Sequence, residues 1–256
     1  MKCGEQRKTI LITGGATGIG AAAVRKFVGE GWNVVIADIN DAEGRRLADG
    51  FGADVLYVHA DTRDGAAMRS AVESAVEAFG RLDSVFANAG IHRRNTILDI
   101  SDEDFDLVVK TNIYGTYNTL KAALPHIAGR KGTVVLCASD QSFIGKRSSF
   151  VYGLTKGAVG QMTRSLALDF APEGVRVNAV CPGTVRTPLV DNLFGNISGG
   201  DEARLAELWK EEDTVFPLGR IAEPSEVAEL VYFLASDASS FCTGGLFPVD
   251  GGLTAG

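Results

Sequence analysis

Four glycines fall within the eight residues Thr13-Gly14-Gly15-Ala16-Thr17-Gly18-Ile19-Gly20. The apolar run Ile10 to Ile12 precedes them, a segment of helical spacing (Ala21 to Gly29) follows, and a second apolar run (Val34 to Ala37) comes next. Glycine permits a tight reversal and lets backbone approach a ligand closely. At the start of a helix, free N–H groups and a partial positive charge then suit a pyrophosphate. A glycine-rich turn by itself says only that the chain bends. Strand before, helix after and strand again predict a dinucleotide-binding unit at Gly14, Thr17, Gly18, Ile19 and Gly20.

The remaining chain repeats this alternation. Val55 to Val58, Leu82 to Ala87, Val134 to Cys137 and Val175 to Cys181 are short Val-rich and Leu-rich runs without strict alternation, as in strands buried on both faces. Ala66 to Phe79, Phe105 to Ile127, Ala158 to Phe170 and Glu226 to Leu234 place apolar residues at helical spacing. The pattern predicts one α/β domain over 1–256, a doubly wound parallel sheet with helices on both faces. Its irregular stretch is about 188–216. There Gly195 to Gly200 has little preference for fixed structure and a helix is expected near Glu202 to Glu212. A substrate lid and a plain surface loop are both consistent with it.

Charge and cysteine usage narrow the partners. Lys plus Arg total 25 against 32 Asp plus Glu, a net charge of −7, which gives no footprint for nucleic acid or an anionic membrane. Cys3, Cys137, Cys181 and Cys242 form no Cys-x-x-Cys pair and the three histidines are scattered, so no metal site or disulfide framework is expected. No apolar stretch matches a signal peptide or a membrane span, and the expected location is cytoplasmic.

Asp38 ends the second strand, eighteen residues past Gly20. An acid there hydrogen-bonds both hydroxyls of an adenosine ribose and repels a 2′-phosphate. No Arg or Lys stands at 15–17 or 39–40 to neutralise one. The reading is NAD, with a helix N-cap as the alternative role. Asp61 after the third strand suits either the adenine edge or a cap for a helix near Asp64. Asn88-Ala89-Gly90 ends the fourth strand, where ligands of such sheets bind.

Tyr152 and Lys156 are four apart at the start of a helical segment, so they share one face. An ammonium beside a phenol favours phenolate and lowers its pKa from about 10. Ser139, just past the strand Thr133 to Cys137, is placed to hold a substrate oxygen beside the tyrosine.

With these residues the chain resembles the classical short-chain dehydrogenase/reductase family over about 8–252. The resemblance covers the Thr-Gly-x-x-x-Gly-x-Gly turn at 13–20, Asn88-Ala89-Gly90, Asn112 and Ser139. It continues with Tyr152-x-x-x-Lys156, Arg176-Val177-Asn178, Pro182-Gly183 followed by Thr187, and Val249-Asp250-Gly251-Gly252. It implies a Rossmann fold of about seven strands in which Tyr152 is the acid/base and Ser139 orients the substrate oxygen. Lys156 lowers the tyrosine pKa and holds the nicotinamide ribose, and Asn112 holds a water that relays protons from Lys156. An alternative for Asn112 is a side-chain bond that kinks its helix. Pro182, Gly183 and Thr187 would border the nicotinamide. The resemblance also implies a homotetramer, pairing the helices near 105–127 and 152–171 and, separately, the segment 226–249.

The leading expectation is an NAD-dependent alcohol dehydrogenase for a small polar substrate. A 3-oxoacyl carrier-protein reductase shares the motifs, but Asp38 and the net charge oppose its usual NADPH and basic docking face. A non-catalytic dinucleotide sensor would have lost part of the catalytic set. Ser139-Asp140-Gln141 with Cys-Pro-Gly-Thr-Val looks like members acting on sugar acids, such as 2-keto-3-deoxy-fuconate dehydrogenases. Gln141 would then bond hydroxyls, and Arg147 or Arg186 would grip a carboxylate or lie solvated at the surface. His92, Arg93 and Arg94 are placed to rim the same pocket.

Overall fold

The computed structural model describes residues 6–256; Cys3 lies outside them. Seven strands form one fully parallel sheet: β1 Thr9–Thr13, β2 Asn33–Asp38, β3 Val55–His59, β4 Ser84–Ala87, β5 Thr133–Cys137, β6 Arg176–Pro182 and β7 Leu246–Val249. Their order is β3-β2-β1-β4-β5-β6-β7. β1 and β4 are side by side but lead away in opposite directions, which opens a crevice beyond their carboxyl ends. The glycine turn after β1 and Asn88–Gly90 after β4 meet there.

Helices cover both faces. On one face lie α1 Gly18–Gly29, α2 Asp41–Asp49 and α9 Pro224–Ala235. On the other lie α3 Gly65–Phe79, α4 Asp102–Val109, α5 Gly115–Ile127 and α6 Phe150–Phe170. Val24, Phe27, Val227, Val231 and Leu234 are fully buried on the first side; Met68, Val72, Ala123 and Ile127 on the second. Burying one such Phe or Leu contributes about 1.5–3 kcal/mol. β1, β4 and β5 are buried throughout, which is why their sequences show no alternation.

Two local expectations are corrected, and one helix was not anticipated. α2 is absent from the apolar pattern because it is mostly polar; Asn40 starts it, accepting from Glu43 N. The helix expected at 105–127 begins at Asp102 and is interrupted by a π turn, Lys110–Tyr114, around Asn112. Gly195–Gly200 is not irregular: α7 (Pro188–Ser198) runs through it and stops at Gly199 and Gly200, both with positive φ. α8 (Glu202–Asp213) follows, and Phe194 packs against Trp209 with rings 4.5 Å apart, so the two helices form a hairpin. No helix among the described residues is long and apolar enough to cross a membrane.

Candidate active site

The crevice holds two confluent hollows, of about 470 and 270 Å³, with Ile19, Tyr152 and Thr187 lining both. The larger is built on the glycine turn. Gly14 and Gly18 have φ of 63° and 53°. A Cβ on Gly20 would stand 2.0 Å from Gly14 O, and one on Gly14 would meet Ala89 Cα at 2.9 Å. Only glycine lets β1, α1 and the β4 loop close this tightly. Thr17 starts α1 with no side-chain cap and no acid follows in the first turn, so the helix start is electrostatically open to an anion. Thr13 Oγ1 accepts from the N–H groups of Asn88 and Ala89, and Asn88 Nδ2 donates to the carbonyls of Thr13 and Gly14.

Asp38 does not cap a helix. Its carboxylate accepts from Ala16 N and Asn40 N, both at 2.9 Å, and lines the larger hollow at the foot of the turn. Asp61 is not a cap either, since Asp64 caps α3 through Ala66 N. Asp61 faces the hollow paired with Arg63, Nη2 to Oδ2 2.6 Å, and this pairing holds its carboxyl below the usual carboxylate range.

Tyr152 and Lys156 lie in the first two turns of α6. Lys156 is buried and donates to Cys137 O at 2.6 Å, its nitrogen 5.4 Å from the Tyr152 ring centre. The expected lowering of the phenol is present but outweighed. Burial pushes Tyr152 above its ordinary pKa, while the Lys156 charge and the Ser139 hydroxyl pull it down. Ser139 is buried; its hydroxyl donates to Asp140 Oδ1 at 2.8 Å and accepts from Gln141 N at 3.2 Å.

Asn112 lies in the π turn, and its side chain bonds outside its own helix. Oδ1 accepts from Ile91 N, while Nδ2 donates to Ile91 O and to Thr155 Oγ1. Thr155 Oγ1 in turn donates to Tyr152 O at 2.8 Å. The residue thus ties the loop after β4 to the catalytic turn of α6.

The smaller hollow is lined by Ser139, Asp140, Gln141, Lys146, Arg147, Pro182, Gly183, His92 and Arg94, with Glu212 of α8 across it. Arg147 is an exposed rim residue that forms no ion pair among the described residues. Arg186 is outside. It is exposed, and its guanidinium stacks 4.1 Å from the Trp209 ring centre. Arg93 borders the larger hollow, not the smaller. His92 packs on Tyr152 with ring centres 4.7 Å apart, and burial with nearby Lys146, Arg93 and Arg94 lowers it to about 4. Sequence reading missed Lys146, whose ammonium is 2.6 Å from buried Asp140 Oδ2, and Glu212, which accepts from Thr184 Oγ1. Only their distances in space reveal them.

Residues 14–254 match the family model described as enoyl-(acyl carrier protein) reductase. The chain is 42% identical over 253 residues to the oxidoreductase UcpA of Salmonella typhimurium, spanning 96% of this chain and 94% of that one. The chain belongs to the short-chain dehydrogenase/reductase family. This family member is also 37% identical over 261 residues to trans-4-hydroxycyclohexanecarboxylate dehydrogenase of Sinomonas cyclohexanicum, covering 97% of this chain and 93% of that one. Its fold matches 3-ketoacyl-(acyl-carrier-protein) reductase of Brucella melitensis, complexed with NADH, with a TM-score of 0.87. Identity there is 31%, over 98% of this chain and 100% of that one. This short-chain dehydrogenase/reductase is therefore an NAD(P)-dependent oxidoreductase acting on CH–OH groups. The glycine cradle, which added Cβ atoms would fill, and the uncapped start of α1 fit a nicotinamide dinucleotide. No metal-holding cluster of His, Cys, Asp and Glu occurs among the described residues.

Proposed function

We propose that this enzyme oxidises a secondary alcohol of a small polyhydroxylated acid, with NAD as the hydride acceptor. The observation that carries the reading is Tyr152 at the junction of the two hollows, facing the glycine cradle on one side and the cationic rim of Arg147 and Arg94 on the other. In this reading Tyr152 takes the substrate hydroxyl proton on its phenolate oxygen, and Ser139 orients the substrate beside it. Lys156 favours the phenolate and holds the ribose. Asn112 positions the α6 turn and borders the proton path away from Lys156. Ile19, Pro182, Gly183 and Thr187 would hold the nicotinamide, which would supply the hydride acceptor. Gly14, Thr17, Gly18, Ile19 and Gly20 hold the pyrophosphate, Asp38 the ribose hydroxyls, Asp61 the adenine edge and Asn88–Gly90 the inner wall.

Asp38 supports NAD over NADP, since its carboxylate would face a 2′-phosphate. Arg147 supports a carboxylate, because an unpaired guanidinium binds one through two parallel bonds. Gln141 supports hydroxyls. The α7–α8 hairpin acts as the lid. A homotetramer fits the apolar hollow on α5 and α6, lined by Leu120, Leu124, Met162, Leu166 and Phe170, and the fully exposed Phe241 near β7. A cytoplasmic enzyme of this kind meets such acids as free solutes.

The family model's description and the Brucella neighbour favour a second reading, a carrier-protein-linked ketoacyl reductase. An assay separates them. Aldonic acids with NAD should be turned over, and acetoacetyl thioesters with NADPH should not. The reverse result would replace the proposed substrate.

A further inference from the structure

Glu212, half-buried in the last turn of α8, lines the smaller hollow. Its Oε1 accepts from Thr184 Oγ1, which fixes the carboxylate beside the residues that follow β6. Two earlier acids of α8, Glu207 and Glu211, are answered by Arg204. Glu212 has no ion-pair partner among the described residues. Lys146 lines the same hollow but is taken up elsewhere, its ammonium 2.6 Å from Asp140 Oδ2 and 6.0 Å from the Phe216 ring centre. Lys146 and Asp140 thus offset one another, and His92, lowered to about 4, is neutral near pH 7. Three unanswered charges remain around the hollow. The exposed guanidiniums of Arg94 and Arg147 stand on the loops after β4 and β5, and the carboxylate of Glu212 stands on the β6 side. The hollow is about 270 Å³, so a small substrate gripped at its cationic side brings its other end to Glu212.

We infer that Glu212 is a specificity-determining residue that accepts a hydroxyl from the end of the substrate remote from its carboxylate and turns away a second carboxylate there, so that the site takes aldonic acids and rejects the matching aldaric acids. This rests on the substrate reading above and narrows its class. A carboxylate accepts hydrogen bonds and donates none, so a terminal CH2OH satisfies Glu212. A terminal carboxylate at the same place sets two like charges together in a partly dry pocket, where they repel more strongly than in water. An aldaric acid has a carboxylate at both ends. Whichever end Arg147 holds, the other meets Glu212, and the repulsion rather than any lost attraction does the discriminating.

The test compares kcat/KM with NAD for gluconate and glucarate, and for galactonate and galactarate, in the full-length enzyme. Each pair differs only at C6, a primary alcohol in the aldonate and a carboxylate in the aldarate. The wild type should favour the aldonate by about a hundredfold or more, as close like charges imply. Glu212→Gln keeps an acceptor for Thr184 Oγ1 and removes the charge, and the ratio should fall at least about tenfold. Glu212→Lys should lower it further, and it gives a second comparison if one variant does not fold. Added salt should narrow the ratio in the wild type and leave it unmoved in Glu212→Gln, which a purely structural role for Glu212 would not produce. Equal changes for both acids of a pair in the variants, or no aldonate preference in a wild type that oxidises aldonates, would overturn the inference and leave the substrate reading standing. Oxidation of neither aldonate would overturn the substrate reading, and the inference with it.

Discussion

Lys156 donates to the Cys137 carbonyl at 2.6 Å from the helix turn that also carries Tyr152. The strand end thereby fixes the ammonium while leaving it close enough to pull the phenol down. Burial alone would leave Tyr152 protonated over the working range of pH, and the Lys156 charge is the largest influence against it. Alcohol oxidation needs the phenolate. Its rate should therefore rise with pH as the phenol ionises, and Lys156→Ala should move this limb to higher pH as well as weaken cofactor binding. A pH profile of kcat/KM for oxidation checks the sign; an unmoved limb would separate Lys156 from the tyrosine.

Tyr152→Phe removes the only group assigned to carry the proton. It should lower kcat at least about a hundredfold, within the usual range for a general acid/base, with dinucleotide affinity nearly unchanged. Fluorescence titration alongside steady-state rates measures both. Wild-type turnover in the variant is the result that would refute the assignment.

Asp38 is held by Ala16 N and Asn40 N, so its carboxylate cannot swing away from a 2′-phosphate without breaking two backbone bonds. NAD should be preferred to NADP by about a hundredfold, roughly 3 kcal/mol. Asp38→Ala should narrow that preference. Competing cofactor kinetics decide it, and equal efficiency in the wild type would be fatal to the NAD reading.

Much of this was legible from the chain because its signals are local. Glycine turn, buried Val-rich runs and the four-residue spacing of Tyr152 and Lys156 each follow from backbone sterics or helix geometry. α2 was not legible, since only Gly44, Leu47 and Ala48 of it are buried and little apolar pattern remains. The π turn at Asn112 was hidden because the partners of the Asn112 amide, Ile91 and Thr155, are distant in sequence. Arg147 and Arg186 looked equivalent by distance along the chain. The partner that separates them, Trp209 stacked under Arg186, is more than twenty residues downstream.

That difference makes a paired prediction. Arg147→Leu should raise KM for a hydroxy acid about tenfold or more while sparing its neutral lactone, as loss of a two-point carboxylate bond requires. Arg186→Leu should leave that contrast intact, and its effect should be a looser α7–α8 hairpin through loss of the stack on Trp209. Initial rates with each acid and lactone pair measure the contrast. Equal losses for charged and neutral substrates in Arg147→Leu would make Arg147 structural.

His92 links stability to pH. Buried against Tyr152, it is lowered to about 4 from an ordinary 6.5. The unfolded chain therefore binds this proton at a pH where the folded one does not. Its contribution is complete above about 6.5, falls as pH drops from there toward 4, and levels off below. The span corresponds to roughly 3 kcal/mol. His92→Gln keeps a polar side chain of similar reach toward Ser149, whose hydroxyl lies 3.2 Å from His92 Nε2, but cannot take up the proton. Urea unfolding of both proteins at pH 7.0, 5.5 and 4.5 should show the wild type losing more stability than the variant over that interval. Parallel losses in the two proteins would mean that His92 is protonated equally in the folded and unfolded states.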